Sequence, residues 1–93
     1  MKNYLIIFHP EVIKRDLPKI PLTVKKRLRE AIKKRLSEAP EKYGKPMRHT
    51  ARGSWRLRVG NYRVVYLILA EKVWIVRVGH RKNVYNNLES RLS

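Results

Sequence analysis

Basic residues cluster in the stretch RLRVGNYRVVY, residues 56–66, with a spacing that could create an anion site. Gly60-Asn61 has glycine in the first position, as a type II′ hairpin turn requires. Counting outward from this turn places Arg58 opposite Arg63 on neighbouring strands. Like charges directly opposite each other in a sheet repel, and a guanidinium fork fits the oxygens of a phosphate. The stretch therefore predicts a site that an anion would stabilise.

A second predicted hairpin extends this basic patch. If Glu71-Lys72 forms its turn, Arg63 faces His80, and a row of basic side chains crosses three strands. Side chains alternate along a strand, so Arg56 shares the face of Arg58. For any single arginine, a side chain splayed into water is the better explanation. The patch as a whole favours an anion site: Arg56, Arg58, Arg63 and His80, followed by Arg81 and Lys82 and flanked by Tyr62, Tyr66 and Tyr85.

The net charge also indicates a polyanionic partner. Lys and Arg total 23 against 7 Asp and Glu, a formal net charge of +16 in 93 residues. Such a field favours nucleic acid, a ribosome or an acidic protein, and it exceeds what solubility requires. The chain has no cysteine, so nothing argues for a disulfide framework or for secretion. The apolar run at residues 5–8 is too short for a signal peptide or a membrane span. We therefore expect a cytoplasmic protein with no membrane association.

The elements that position the patch follow from periodicity and from proline. Residues 3–9 predict a short strand, and Pro10 opens a short helix that ends at Pro18 and Pro21. From residue 22 to about residue 39 the pattern is helical, until Pro40 stops the helix. One apolar stripe on this second helix comprises Val24, Leu28, Ala31, Ile32 and Leu36.

The second half of the chain predicts a sheet. Alternation predicts strands at about residues 54–59, 62–70 and 73–80, with a loop at 41–52 before them and a short helix or tail at 83–93. The order βααβββ(α) and the short turns predict an antiparallel sheet with both N-terminal helices on one face. Leu57, Val64 and Trp55 would point towards those helices. The predicted fold class is α+β, in one domain over residues 1–93.

Other site chemistries find little support in the sequence. His9, His49 and His80 are scattered, without carboxylates or cysteine at ligand spacing, so we expect no metal or other cofactor. The chain has no glycine-rich phosphate loop and no convincing serine–histidine–acid set. Glu71 and Glu89 do not form an evident catalytic pair. His49, in a loop rich in Lys and Arg, is more typical of a surface residue than of a catalyst.

The stretches GSWRLRVGNYRVVY (53–66) and VGHRKNVY (78–85) resemble the RelE/ParE superfamily of toxin–antitoxin toxins, on the RelE side. The resemblance covers nearly the whole chain, including the early strand, the proline-bounded helix pair and the GKP loop at 44–46. The motifs are short, but their order and spacing make the match fairly specific. The resemblance implies a ribosome-dependent mRNA endonuclease that cuts in the A site without a metal. It also implies an acidic antitoxin as partner, in a toxin–antitoxin hetero-oligomer.

The resemblance carries roles to individual positions. It implies catalytic roles for Arg56, Arg58, Arg63, Arg81 and Tyr85. Relatives often have lysine where this chain has Arg56 and Arg58, and arginine essentially never loses its proton. His80 and Tyr85 are therefore the candidate acid–base groups, and charge stabilisation is expected to matter more than a strong base. The candidate RNA-binding residues outside this set are Lys25, Lys26, Arg29, Lys33, Arg48, Arg52 and Lys82, although a solvated helix face explains the first four equally well.

Two other functions remain open from the sequence. A ParE-type inhibitor of DNA gyrase would share the fold, but the near-complete set of cations with a terminal tyrosine argues against it. A catalytically silent basic module would bind ribosomes with steep salt dependence and leave mRNA intact.

Overall fold

The protein, described here from a computed structural model covering residues 3–49 and 51–92, contains one five-stranded sheet with helices on both faces. The strands are β1 (Leu5–Phe8), β2 (Lys45–Pro46), β3 (Trp55–Val59), β4 (Tyr62–Leu69) and β5 (Lys72–His80). An N-terminal helical segment comprises Val12–Asp16 and Leu17–Lys19, and α1 (Leu22–Ala31) continues through a π-helical turn, Ile32–Leu36. Two short helices follow, α2 (Pro40–Tyr43) and α3 (Leu88–Leu92). The α+β class is confirmed. Within the described ranges, none of the helices has the length and apolar character to cross a bilayer.

The sheet is mixed, with strand order β1-β5-β4-β3-β2. The pairs β2–β3, β3–β4 and β4–β5 are antiparallel, whereas β1 lies parallel to β5, with Leu5 opposite Lys72 and Phe8 opposite Ile75. The predicted antiparallel sheet is therefore wrong at β1. Parallel neighbours need a long crossover connection, and here the N-terminal helical segment, α1, α2 and the other three strands lie between the two along the chain.

The first hydrophobic core lies between the N-terminal helices and one face of the sheet. The predicted helical stripe is confirmed, because Leu28, Ile32 and Leu36 are buried and Val24 and Ala31 pack against them. The sheet contributes buried side chains that include Leu57, Val64, Tyr66, Val73, Ile75 and Val78. Both predicted N-terminal helical segments thus cover this face.

Tyr66 ties the sheet to the start of α2. Its side chain is fully buried, and its hydroxyl donates a hydrogen bond of 2.6 Å to the carbonyl oxygen of Pro40. Pro40 was expected only to stop a helix, but it also begins α2. A Cβ at Gly44 would lie 1.8 Å from the Tyr66 hydroxyl oxygen, so only glycine fits there. The short segment between α2 and β2 is fixed by this close approach.

A second, smaller core covers the opposite face of the sheet. It comprises Ala51, Val65, Val76, Val84 and Leu88, with Trp74, Tyr85 and Leu92 packed against it. The sequence pattern left residues 83–93 without a register, and it predicted helices on one face only. The structure shows that α3 lies on the other face, so the segment after β5 crosses the sheet's end.

Two predictions about the sheet need correction. Residues 41–52, expected to be a loop, include the end of α2 and the edge strand β2, which is too short to show alternation.

The second hairpin turns at Ala70-Glu71, because Leu69 pairs with Lys72. The pairing shifts again between Val65 and Tyr66, where β5 bulges. The predicted register of this hairpin is wrong along its length.

Candidate nucleic-acid interface

The first hairpin has the predicted register. Arg58 lies opposite Arg63, and Arg56 lies opposite Val65. Gly60 has a φ of +59°, while Asn61 has no positive φ, as the predicted type II′ turn requires. Arg56 and Arg58 flank the buried Leu57 in the strand and project from the face opposite the first core. The predicted opposition of two arginines is therefore present in the fold.

These arginines line an open cleft of about 550 Å³. Its walls are Tyr43, Lys45, Arg56, Arg58, Arg63, Arg81, Lys82 and Tyr85. Five of the six predicted catalytic residues are thus brought together, and Lys82 from the RNA-binding set joins them. Tyr43 and Lys45 were missed by the sequence analysis. Lys45 pairs with Arg56 across the β2 edge, and two-residue β2 gave no pattern from which to place it.

The guanidinium of Arg63 is oriented by backbone carbonyls. Its Nη1 donates to the carbonyl oxygens of Gly60 at 3.1 Å and of Tyr62 at 2.9 Å. Neither of the two ion pairs found among the described residues involves a cleft cation. The positive charge of the cleft is therefore not neutralised by carboxylates, which leaves it available to an anion.

The segment after β5 brings Arg81 and Tyr85 to the cleft. The backbone N–H of Arg81 donates to the carbonyl oxygen of Asn61 at 2.8 Å, which fixes Arg81 beside the first hairpin turn. The amides of Asn83 and Val84 both donate to the carbonyl oxygen of His80 at 2.9 Å, and Val84 is buried. This turn reverses the chain and presents Tyr85 on the cleft side.

His80 lies outside the cleft, so the predicted row of Arg58, Arg63 and His80 is wrong. Arg63 faces Gly79, and His80 pairs instead with Tyr62. The rings of Tyr62 and His80 meet edge to face with centroids 5.5 Å apart. A shift of one residue moves every side chain of a strand to the other face. The missing acid–base residue is therefore not supplied by His80 in this geometry.

A second groove of about 620 Å³ continues from the cleft. It shares Lys45, Arg56 and Tyr85 with the cleft and adds Pro46, Met47, Arg48 and His49. Arg52 is exposed, and its Nε donates to the carbonyl oxygen of Arg48 at 3.2 Å. The RNA-binding candidate Arg48 is therefore adjacent to the cleft, and His49, which is exposed, lines the same groove.

The basic residues of α1 form a separate surface. Lys25, Arg29 and Lys33 border an apolar groove of about 390 Å³ between α1, the N-terminal helical segment and β1. Lys26 is exposed on the same helix. Since α1 packs on the first-core face, these four RNA-binding candidates are not brought to the cleft.

The described part of the chain holds no group of three or more histidine, aspartate or glutamate side chains that could bind a metal ion. The cleft itself contains only cations and tyrosines, which are poor metal ligands compared with carboxylates and imidazole. Its chemistry is that of binding phosphate and stabilising negative charge.

Comparison with known proteins finds similar sequences among toxins of toxin–antitoxin systems. A family model described as "ParE toxin of type II toxin-antitoxin system, parDE" matches residues 3–85. The toxin RelG of Mycobacterium tuberculosis is 38% identical over 74 residues, which are 77% of this chain and 85% of RelG.

Solved structures show the same fold. The toxin–antitoxin complex RelBE2 of Mycobacterium tuberculosis contains a chain with a TM-score of 0.80 and 35% identity; the match covers 89% of this chain and 97% of that one. A mutant of E. coli toxin RelE in the free state gives a TM-score of 0.74 over 98% of this chain and 99% of that chain. At 21% identity, the second likeness concerns the fold alone.

Proposed function

This chain belongs to the RelE/ParE superfamily of toxins from type II toxin–antitoxin systems, and on that premise we propose that it is an mRNA endonuclease acting in the A site of the ribosome. The observation that carries the proposal is the cleft in which Arg56, Arg58, Arg63 and Arg81 converge beside Tyr85. A cleft of unpaired guanidinium groups fits a phosphodiester whose charge increases during cleavage. The proposed place of action is the cytoplasm.

The proposed reaction is an attack by the ribose 2′-oxygen on the adjacent phosphorus. The bond from the 2′-oxygen to phosphorus forms, and the bond from phosphorus to the 5′-oxygen breaks. The products are a 2′,3′-cyclic phosphate and a 5′-hydroxyl. The 2′-hydroxyl gives up its proton, and the leaving 5′-oxygen takes one up.

The cleft residues divide this work by position. Arg58 and Arg63 lie opposite each other and would hold the non-bridging oxygens of the scissile phosphate. Arg81, fixed beside the same turn, would stabilise charge on the leaving 5′-oxygen. Tyr85 would stack on a base or assist the 2′-hydroxyl. Arg56 and Lys45 would bind the flanking phosphate.

Charge stabilisation carries most of the proposed rate acceleration. Arg56 and Arg58 stay protonated and cannot serve as a base, and His80 lies on the other side of the sheet from the cleft. Among the five catalytic candidates that line the cleft, Tyr85 is the one without a positive charge. We expect the ribosome-bound mRNA to be positioned so that a weak base is sufficient.

The proposed partner is an acidic antitoxin. The matched Mycobacterium tuberculosis chain is part of a toxin–antitoxin complex, and a net charge of +16 suits an acidic protein. We propose that this chain likewise assembles into a toxin–antitoxin hetero-oligomer and that its second partner is the ribosome with its mRNA.

The test is expression of the chain without an antitoxin, followed by mapping of mRNA 5′ ends on translating ribosomes. We expect cuts in phase with codons and 5′-hydroxyl ends. The double variant Arg63→Ala, Arg81→Ala should abolish them. The variant Lys14→Ala, Lys34→Ala removes the same charge from exposed positions outside the cleft and should cut normally. Full cutting by the cleft variant would contradict the proposal.

A supercoiling assay with purified gyrase separates the ParE-type alternative. Gyrase inhibition without RNA cleavage would replace the proposed function with that of a gyrase inhibitor. Salt-sensitive binding to ribosomes that leaves mRNA intact would instead indicate a silent binding module.

A further inference from the structure

Asp16 accepts two hydrogen bonds at one carboxylate oxygen from distant parts of the chain. Its Oδ2 receives the backbone N–H of Val78 at 3.0 Å and Nη1 of Arg91 at 2.5 Å. The side chains of Asp16 and Arg91 are only 8% and 11% exposed. The sequence has only 7 acidic residues against 23 basic ones, and Asp16 is one of these few carboxylates.

The position of Asp16 follows from where β1 ends. β1 pairs with β5 only as far as Phe8 opposite Ile75, so the outer edge of β5 beyond Ile75 lacks a strand partner. A buried backbone N–H needs an acceptor. Asp16, at the end of the first helical turn, supplies that acceptor to Val78.

The two donors bracket a segment that supplies part of the cleft lining. Val78 lies near the end of β5 and Arg91 lies in α3, and between them come Arg81, Lys82 and Tyr85. Because a single oxygen holds both ends, Asp16 closes residues 78–91 into a loop. Arg91 also donates to the carbonyl oxygen of Val76 at 3.4 Å, which brings α3 against the bulged part of β5.

The electrostatics make Asp16 difficult to replace. Arg77 lies nearby, and burial together with the charge of Arg91 lowers its pKa, whereas the charge of Asp16 raises it. Asp16 is thus a carboxylate whose charge acts on two guanidinium groups, those of Arg77 and Arg91. Removing one partner of a buried ion pair leaves an uncompensated charge, so either partner's loss should release the segment.

We propose that Asp16 is a positioning residue, which with Arg91 clamps residues 78–91 so that Arg81 and Tyr85 face Arg58 and Arg63 across the cleft. The consequence for cleavage rests on the proposed function, whereas the consequence for the segment's order does not. Asp16 lines neither the cleft nor the groove beside it, so it would act on RNA only through the segment that it holds.

The test compares two variants of the same chemistry. Arg91→Gln removes a guanidinium from the buried pair with Asp16. Arg15→Gln removes an exposed guanidinium from its 2.7 Å pair with Glu11, near Asp16 in the N-terminal helical region. Both variants lose one charge and one ion pair, and only the first releases residues 78–91. Arg91→Lys keeps a charge that can reach the same carboxylate.

Two readouts are measured at a temperature where the amides of β4 stay protected in every variant. For Arg91→Gln we expect faster amide hydrogen exchange across residues 81–87. We also expect single-turnover cleavage on programmed ribosomes to slow by roughly ten- to a hundredfold, with RNA affinity changed much less. Arg91→Lys should restore most of the exchange protection across residues 81–87 and most of the cleavage rate. Arg15→Gln should behave as the unsubstituted protein.

Unchanged exchange across residues 81–87 in Arg91→Gln would overturn the clamp. Equally fast exchange and equally slow cleavage in Arg15→Gln would also contradict the proposed role of Asp16, since they would indicate a general effect of losing one positive charge. If the unsubstituted protein does not cleave mRNA, the proposed function fails, while the exchange measurement still decides whether Asp16 holds the segment.

Discussion

At the scale of single residues, the cleft is built from cations that form no ion pair with any of the described carboxylates. Arg63 is held by the carbonyl oxygens of its own hairpin turn, and Arg58 faces it across the ladder. Carbonyl dipoles orient a guanidinium without cancelling its charge. The free protein therefore carries repulsion that a bound phosphate would relieve.

This repulsion predicts a trade-off at Arg58. Arg58→Thr removes one of two opposed charges and places a residue suited to strands there. We expect the free energy of unfolding to rise by about 0.2–1 kcal/mol in urea titrations at low salt, while mRNA cleavage falls. Lys72→Thr is the control, because Lys72 is exposed on a strand opposite the uncharged Leu69. A loss of stability in Arg58→Thr, with Lys72→Thr unchanged, would show that the opposition is not repulsive.

Tyr66 predicts a pH dependence of stability. Its hydroxyl is buried and donates to the carbonyl oxygen of Pro40, and burial raises its pKa well above the usual value. A raised folded-state pKa gives stability that is complete below the unfolded pKa of about 10 and is lost as pH rises above it. Tyr66→Phe should cost about 1–3 kcal/mol at neutral pH, because the carbonyl loses its donor.

The same comparison isolates the contribution of Tyr66 in alkali. Above pH 10 the difference between the unsubstituted protein and Tyr66→Phe should shrink by about 1.4 kcal/mol per pH unit. Urea unfolding from pH 7 to pH 11 measures it, with Tyr43→Phe as an exposed control. A difference that stays constant across this range would mean that Tyr66 ionises equally well in the folded protein.

At the scale of elements, the two hairpins show how far local sequence predicts register. The dipeptide Gly60-Asn61 predicts a two-residue turn, and because this turn sets the register, every predicted pair of the first hairpin is confirmed. The second hairpin turns at Ala70, a residue with no preference for its observed φ of +56°. Nothing in the local sequence marks that turn or the irregularity at Val65/Tyr66. The misplacement of His80 follows from this, since an error of one residue reverses the face.

The turn at Ala70 should be improved by glycine. An L-residue in the left-handed region costs roughly 1–2 kcal/mol. Glycine avoids this cost, but its greater unfolded-state entropy opposes folding and offsets part of the gain. Ala70→Gly should therefore raise the free energy of unfolding by about 0.5–1 kcal/mol, measured by urea denaturation. Ala31→Gly makes the same change at a helical φ of −63° and should lower it by about 1 kcal/mol. If both variants lose stability, the turn does not hold Ala70 in the left-handed region.

At the scale of the whole molecule, two cores lie on opposite faces of one sheet, with a different kind of basic surface on each side. The first core could be predicted, since the stripe of α1 and the alternation of β3 and β4 are local patterns. The second could not, because α3 and its contacts with Val65 and Val76 depend on a segment without periodicity. The parallel pairing of β1 with β5 likewise joins strands at opposite ends of the chain. The five catalytic candidates that the cleft brings together lie on β3 and β4 or in the segment that follows β5, and the first hairpin's turn signal predicts the positions of three of them.

The two basic surfaces can be distinguished by the salt dependence of RNA binding. Each phosphate contact with single-stranded RNA contributes about −0.7 to the slope of log affinity against log salt concentration. If RNA lies in the cleft, Arg63→Ala should reduce the slope by about that amount, whereas Lys33→Ala, on the basic surface of the α1 side, should leave it unchanged. Fluorescence anisotropy with a short labelled RNA at 50–300 mM salt, a range of about sixfold chosen around physiological ionic strength, provides the measurement. Equal reductions in both variants would mean that the overall charge of +16 attracts RNA without a preferred face. That result would contradict the proposal that the cleft binds the RNA substrate.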